Sequence, residues 1–253
     1  MFLEPEEMIG ETGHRIIVNG QKMDSYTIQA QRRRLPDLEY LRKEDIMENA
    51  VQGILVKDDC FLLAHRGGAD QPGKLNVLPG GSVAFKDNYI SNPFADAFVA
   101  ETKEEAGTDV NETRFLGVFN QYGVHTNRQW AFTAKPVAPL DEIIEDHRMG
   151  YEFYARIKKE TGNEATARKA LQETSYPADA WESEDVVKLP FTPEVFLNIL
   201  GNTHYQVKGR AHPAEIIGTL HPTLYLVGLF YFGEKFKEEA CRIPLVQERI
   251  VFR

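Results

Sequence analysis

The chain has 253 residues, 42% of them hydrophobic and 26% charged, with a formal net charge of −9. This is globular composition with length enough for a sizeable core. The acidic balance argues against a binder of the nucleic-acid backbone, which carries a basic stripe. A small anionic substrate stays open, because a bound divalent metal can reverse the local charge.

The two cysteines, Cys60 and Cys241, lie too far apart in sequence to form a disulfide framework or a metal motif. A reduced, cytoplasmic setting is expected. The acidic opening MFLEPEEMIGETGHR lacks the basic and apolar regions of a secretory signal. The longest apolar run, TLYLVGLFYFG at 223–233, falls short of the roughly 20 residues that span a bilayer. It reads as a buried or subunit-contact segment, and no membrane association is expected.

In chain order, residues 1–48 form an N-terminal extension in which HRIIVNG and DSYTIQA are expected as short strands around a Gly-containing turn. VQGILV and FLLAHR then flank KDD, a hairpin signature. KLNVLPGGSV follows as a strand ending in a glycine pair. A helix is bounded by Asn92 as N-cap, Pro93 at its first position and Gly107 as left-handed C-terminal cap. Ala95, Phe98, Val99, Thr102 and Ala106 are spaced for one packed face.

That helix carries Glu101, Glu104 and Glu105, which helical spacing turns mostly away from the expected packed face. Like charges three and four apart cost roughly a few tenths of a kcal/mol per pair. A solvated face tolerates the cost; a bound cation removes it. RFLGVFNQYG and RQWAFTAKPV are expected as two more strands, and residues 141–175 as one or two inserted helices. DAWESEDVVKLPF returns to extended structure, TPEVFLNIL forms a helix capped by Thr192, and residues 201–253 form a C-terminal extension ending in the strand-like RIVFR. Strands interleaved with two core helices point to a mixed α/β sandwich.

The glycine pair after Pro79, a loop and the E-x-x-E-E-x-G helix together resemble the Nudix hydrolase box, with Gly81, Glu101, Glu104, Glu105 and Gly107 in the pattern's order. Three departures stand out. The family arginine is Ala100, both bulky apolar positions are threonine (Thr102 and Thr108), and Gly81 precedes Glu101 by twenty positions, about five more than the pattern. Asp87 stands near the place of the first pattern glutamate. FLLAHRGG and the strand pair after the box add to the likeness over residues 49–136.

The resemblance implies a Nudix-like α/β/α sandwich over residues 49–200, with its helical insertion at 141–175. It implies hydrolysis of the pyrophosphate bond in a nucleoside diphosphate linked to another moiety, ADP-ribose being favoured because a strand pair precedes the box. Mg²⁺ (or Mn²⁺) would be held by Glu101, Glu104 and Glu105 with a backbone carbonyl near Gly80, and the N-terminal strand pair would serve a homodimer. Arg66, Gly81, Tyr122, His125 and Arg128 are the candidate substrate contacts. Lys103 or Arg114 is expected to replace the missing arginine. Glu152, Glu182 and Glu184 are late candidates for ligand or base, each more readily read as surface charge. Arg32, Arg33 and Arg34 read as a solvated edge or subunit contact, and Trp181 as core. The rival reading is a Nudix-derived module that binds a nucleotide without cutting it.

Overall fold

The computed structural model describes residues 15–18, 21–24, 48–67, 72–83, 92–121 and 127–250. Two short strands, β1 (Arg15–Val18) and β2 (Gln21–Asp24), pair antiparallel as a unit of their own. The second begins at Gln21, three residues before the expected DSYTIQA, most of which lies outside the described residues.

The main sheet is mixed. Strands β3 (Glu48–Lys57) and β4 (Cys60–Arg66) form the expected hairpin. Asp58 and Asp59 both take positive φ at its tip, as a type I′ turn requires. Strands β5 (Lys74–Val77) and β6 (Gly80–Ser82) separate there, β5 running beside β4 and β6 beside the first half of β3. Strands β7 (Val110–Gln121) and β8 (Asn127–Pro136) are antiparallel to each other, and β8 is parallel to β3. Strand β9 (Ser183–Pro190) lines the other side of β4.

Helices cover both faces. On one lie α1 (Pro93–Ala106) and α2 (Leu140–Thr161), with Phe94, Ala97, Phe98, Leu140 and Ile143 buried against Val51, Leu55, Leu62, Phe132 and Val186. The insertion continues as α3 (Glu164–Gln172), so it makes two helices. On the other face, α4 (Pro193–Leu200) and α5 (Leu220–Ala240, broken at Gly233) bury Phe196, Ile199, Leu224, Val227 and Phe236 against Ile54, Phe61, Leu63 and Leu75. The result is an α/β/α sandwich.

The described part of the expected appended extension, residues 201–250, is built into this architecture. Strands β10 (His204–Tyr205) and β11 (Ala214–Ile216) extend the sheet from β5. The apolar run 223–233 lies within α5, and buried Gln52 of β3 donates to the Thr223 hydroxyl and to the Thr219 carbonyl. The strand expected in RIVFR is absent where the residues are described: Arg249 closes a short helix, α6 (Pro244–Arg249), and residues 251–253 lie outside them. No helix among the described residues is long and apolar enough to cross a membrane.

One buried imidazole carries a testable consequence. His147 on α2 is 1% exposed, and its Nδ1 finds no hydrogen-bond partner among the described residues. Burial pushes its pKa from 6.5 down to about 4, against a smaller upward pull from Asp185. The unfolded chain therefore takes up the proton first, so the stability of the neutral form is lost as pH falls from 6.5 towards 4. The shift corresponds to roughly 3 kcal/mol. Urea unfolding across that window should show a slope that His147→Asn flattens; equal slopes would contradict the assignment.

Candidate active site

Helix α1 begins and ends as its sequence requires. The Asn92 side chain accepts from the Phe94 and Ala95 amides, at 3.2 Å each, and Gly107 closes the helix at φ 66°. Its packed face differs from the expected one. Phe94, Ala97, Phe98, Thr102, Glu105 and Ala106 are buried, whereas Val99 is 36% exposed. The apolar stripe is rotated because Phe94 and Phe98 stack on Trp130 and Phe132 of β8. That rotation carries Glu105 inward.

The two threonines at bulky apolar positions are buried with satisfied hydroxyls. Thr102 donates to the Phe98 carbonyl at 2.8 Å. Thr108 donates to the Asp109 carbonyl at 2.9 Å and accepts from the Ala138 amide at 3.2 Å. A buried hydroxyl costs little when it is bonded, so the helix keeps its packing despite these departures.

The glycine turn sits against the carboxylates. Gly80 donates its amide to Glu105 Oε2 at 3.3 Å, so it meets the cluster with its N–H. A Cβ on Gly81 would overlap the Glu101 carboxylate. Glycine at 81 thus leaves the space in which the Glu101 carboxylate lies, and a side chain there would push that carboxylate aside. Strand β6 fixes both residues through its register with β3, Gly80 opposite Gln52 and Gly81 opposite Val51.

Glu105 is only 9% exposed. Burial raises its pKa well above the ordinary carboxylate value, and the charges of Glu182 and Glu101 raise it further. Arg66 and the Gly80 amide oppose that shift. Glu182 belongs to a single 3₁₀ turn (Ala180–Glu182) just before β9. Its backbone is fixed on two sides: Gly67 donates to the Glu182 carbonyl, and Asp179 donates to the Glu104 carbonyl, both at 2.9 Å.

The inserted helices supply the footing for that turn. Ala180 is fully buried and packs at Gly150 of α2. Trp181 donates to Asp179 at 2.9 Å and lies under the Arg168 guanidinium of α3, 3.4 Å from its ring centre. Residues far apart in sequence thereby bring a carboxylate to the box helix. Glu182, read as surface charge from sequence, is the site residue that sequence undervalued; its placement by the 141–175 insertion leaves no local signal.

The other candidates are distributed as follows. Glu104 is half-buried on the same helix as Glu101 and Glu105. Arg66 ends β4, with its Nη1 3.1 Å from Glu182 Oε2. Arg128 on β8 donates to Asn120 of β7 at 3.4 Å. Tyr122, His125 and Asp87 lie outside the described residues, as do Arg32, Arg33 and Arg34. Glu152 pairs with Arg148 on the exposed side of α2, at 2.5 Å. Glu184 pairs with Arg210 at 2.6 Å. A cleft of about 400 Å³ opens elsewhere, between Lys57, Arg114, Lys135, Phe191 and Tyr231, and the carboxylates do not line it.

Glu101, Glu105 and Glu182 offer hard oxygen donors of one sign, which suits a divalent cation of the magnesium type. The repulsion that raises Glu105 is what such a cation would relieve. Among the described residues no three acidic, histidine or cysteine side chains already stand in a ligand arrangement.

No family model and no curated protein matches the chain. In structure it is similar to solved Nudix hydrolases. A MutT Nudix hydrolase from Burkholderia pseudomallei is 22% identical at TM-score 0.31, covering 36% of this chain and 67% of its own. A Nudix hydrolase from Nitrosomonas europaea is 24% identical at TM-score 0.31, covering 37% and 49%, so the chain spans about half of that protein. An ADP compounds hydrolase is 16% identical at TM-score 0.42 and covers 74% of both chains.

Proposed function

We propose that the protein is a Nudix-type hydrolase that cleaves the pyrophosphate bond of a nucleoside diphosphate linked to another moiety. One observation carries this reading. A buried glutamate of the box helix, Glu105, is left in repulsion with Glu101 and Glu182 beside a glycine turn. A buried carboxylate that feels two others is costly, and added positive charge relieves that cost.

Glu101 and Glu105 would hold a Mg²⁺ or Mn²⁺ ion, with Glu104 and Glu182 as further oxygen donors. When bound, such an ion neutralises phosphate oxygens and acidifies a coordinated water. The chain's own part is orientation. The Gly80 amide fixes one oxygen of Glu105, and Gly81 leaves the space that the Glu101 carboxylate fills. An ADP-ribose-like substrate is the class favoured, on the resemblance of a box domain preceded by a strand pair, here β1 and β2.

Ala100 and the open carboxylate arrangement favour a second reading, a nucleotide-binding module without turnover. Release of nucleoside monophosphate from ADP-ribose, NADH, diadenosine polyphosphates and sugar nucleotides, with and without Mg²⁺, separates the two. Metal-dependent turnover of at least one is expected. Nucleotide binding by calorimetry with no turnover across the set would leave the module.

A further inference from the structure

With alanine at position 100, the box helix supplies no cation at the place the pattern gives one. The two residues expected to replace it are engaged elsewhere. Lys103 pairs with Asp109 at 2.8 Å in an exposed bridge. Arg114 donates to Glu112 at 2.6 Å, and its guanidinium lies 5.6 Å from the Phe230 ring centre, beside the remote cleft. Neither is at the cluster.

Arg66 is. Its side chain is 15% exposed, its Nη1 lies 3.1 Å from Glu182, and its charge acts on Glu105. The sheet has a local device that puts it there. His65 pairs with Asp185 and Arg66 with Ser183, so Glu184 is an extra residue in β9. Such a bulge bends a strand end and re-aims its side chains. It leaves Glu184 to His65 and Arg210, while Glu182 meets Arg66. The backbone of Arg66 is held too, its carbonyl accepting from the Gly73 amide at 2.7 Å.

We infer that Arg66 is the positioning residue of this site, taking over from the box helix by holding the Glu182 carboxylate beside Glu101 and Glu105. This rests on the hydrolase reading and deepens it. A glutamate has several rotatable bonds, and fixing it costs rotamer entropy. The rigid, planar guanidinium offsets that cost through its charged contact with Glu182, Nη1 to Oε2 at 3.1 Å, which a lysine on its flexible stem does not reproduce. Arg66 thus acts through Glu182, in place of the phosphate contact expected from sequence.

The test is a double-mutant cycle with Arg66→Ala, Glu182→Gln and both, read first as Mn²⁺ affinity from the paramagnetic resonance signal of free Mn²⁺, without substrate. Glu182→Gln should weaken Mn²⁺ binding about tenfold in the otherwise unaltered protein. With Arg66 already alanine the same change should cost about twofold or less, because Glu182 is no longer held. Turnover of Arg66→Ala should fall in kcat with KM steady, and Arg66→Lys should recover only part of it. Should the alanine variant fail to fold, Arg66→Gln carries the same cycle.

Factors that multiply independently overturn the assignment, and so does a raised KM with Mn²⁺ affinity and kcat unchanged, which would make Arg66 a phosphate contact. A wild-type protein that binds no Mn²⁺ removes both this assignment and the metal-dependent hydrolase. Mn²⁺ binding with the expected coupling but no turnover removes the hydrolase alone and supports Arg66.

Discussion

Glu105→Gln is expected to cut metal-dependent turnover by about 10²- to 10³-fold while leaving the fold as stable as before, or more so. Glutamine keeps the shape of the side chain and an oxygen to accept the Gly80 amide bond, at 3.3 Å in the native protein. It removes the buried charge, and with it the repulsion from Glu182 and Glu101. Taking out a buried charge that Arg66 and the Gly80 amide offset only in part relieves a folding cost. The catalytic side moves the other way. A bound metal supplies several kcal/mol of charge stabilisation, which corresponds to about 10²- to 10³-fold in rate.

The expected result is therefore a loss of that order in kcat together with an unchanged or raised melting temperature without metal. Opposite signs in the two measurements are the mark of a site that trades stability for function. Wild-type turnover in the variant would reduce Glu105 to a buried structural carboxyl. A severe loss of stability would show that the carboxylate is held by favourable contacts, against the electrostatic account.

Gly81→Ala tests the other half of the cluster without altering any charged group. Its added methyl would overlap the Glu101 carboxylate, the far end of a flexible side chain, so Glu101 moves and the backbone stays. The folding consequence is small. Glycine to alanine at a compatible backbone position gains about 0.4–1 kcal/mol by restricting the unfolded chain, which offsets much of the displacement. A melting temperature within a few degrees of wild type is expected, since about 1 kcal/mol shifts it by roughly 2–4 °C at this size.

Catalysis is far less tolerant. Misplacing a group by about 1 Å can cost on the order of 10²-fold in rate. Gly81→Ala should thus fold normally and lose most of its turnover, with weaker Mg²⁺ or Mn²⁺ binding. Full activity in this variant would mean that Glu101 has no work at the position it occupies beside Gly81. Read with Glu105→Gln, it separates the box carboxylates from the fold that carries them.

The sequence by itself determined what near neighbours decide. Asn92 and Gly107 cap the box helix, because capping depends on backbone groups within a turn of each. The Asp58–Asp59 hairpin tip and the Thr192 cap of α4 are local in the same way. The E-x-x-E-E spacing likewise places Glu101 and Glu105 one helical turn apart without reference to the rest of the chain.

Only the tertiary structure decided what those residues meet. Glu105 is buried because Phe94 and Phe98 find aromatic partners on β8, which rotates the packed face. Glu182 joins the cluster because two helices inserted before it anchor its turn, and Arg66 reaches it because one extra residue in β9 shifts the pairing. Residues 220–240 became the second helical layer because the sheet has two apolar faces and each must be covered. Each of these outcomes joins residues distant in sequence, where register and packing act and neither periodicity nor spacing reports them.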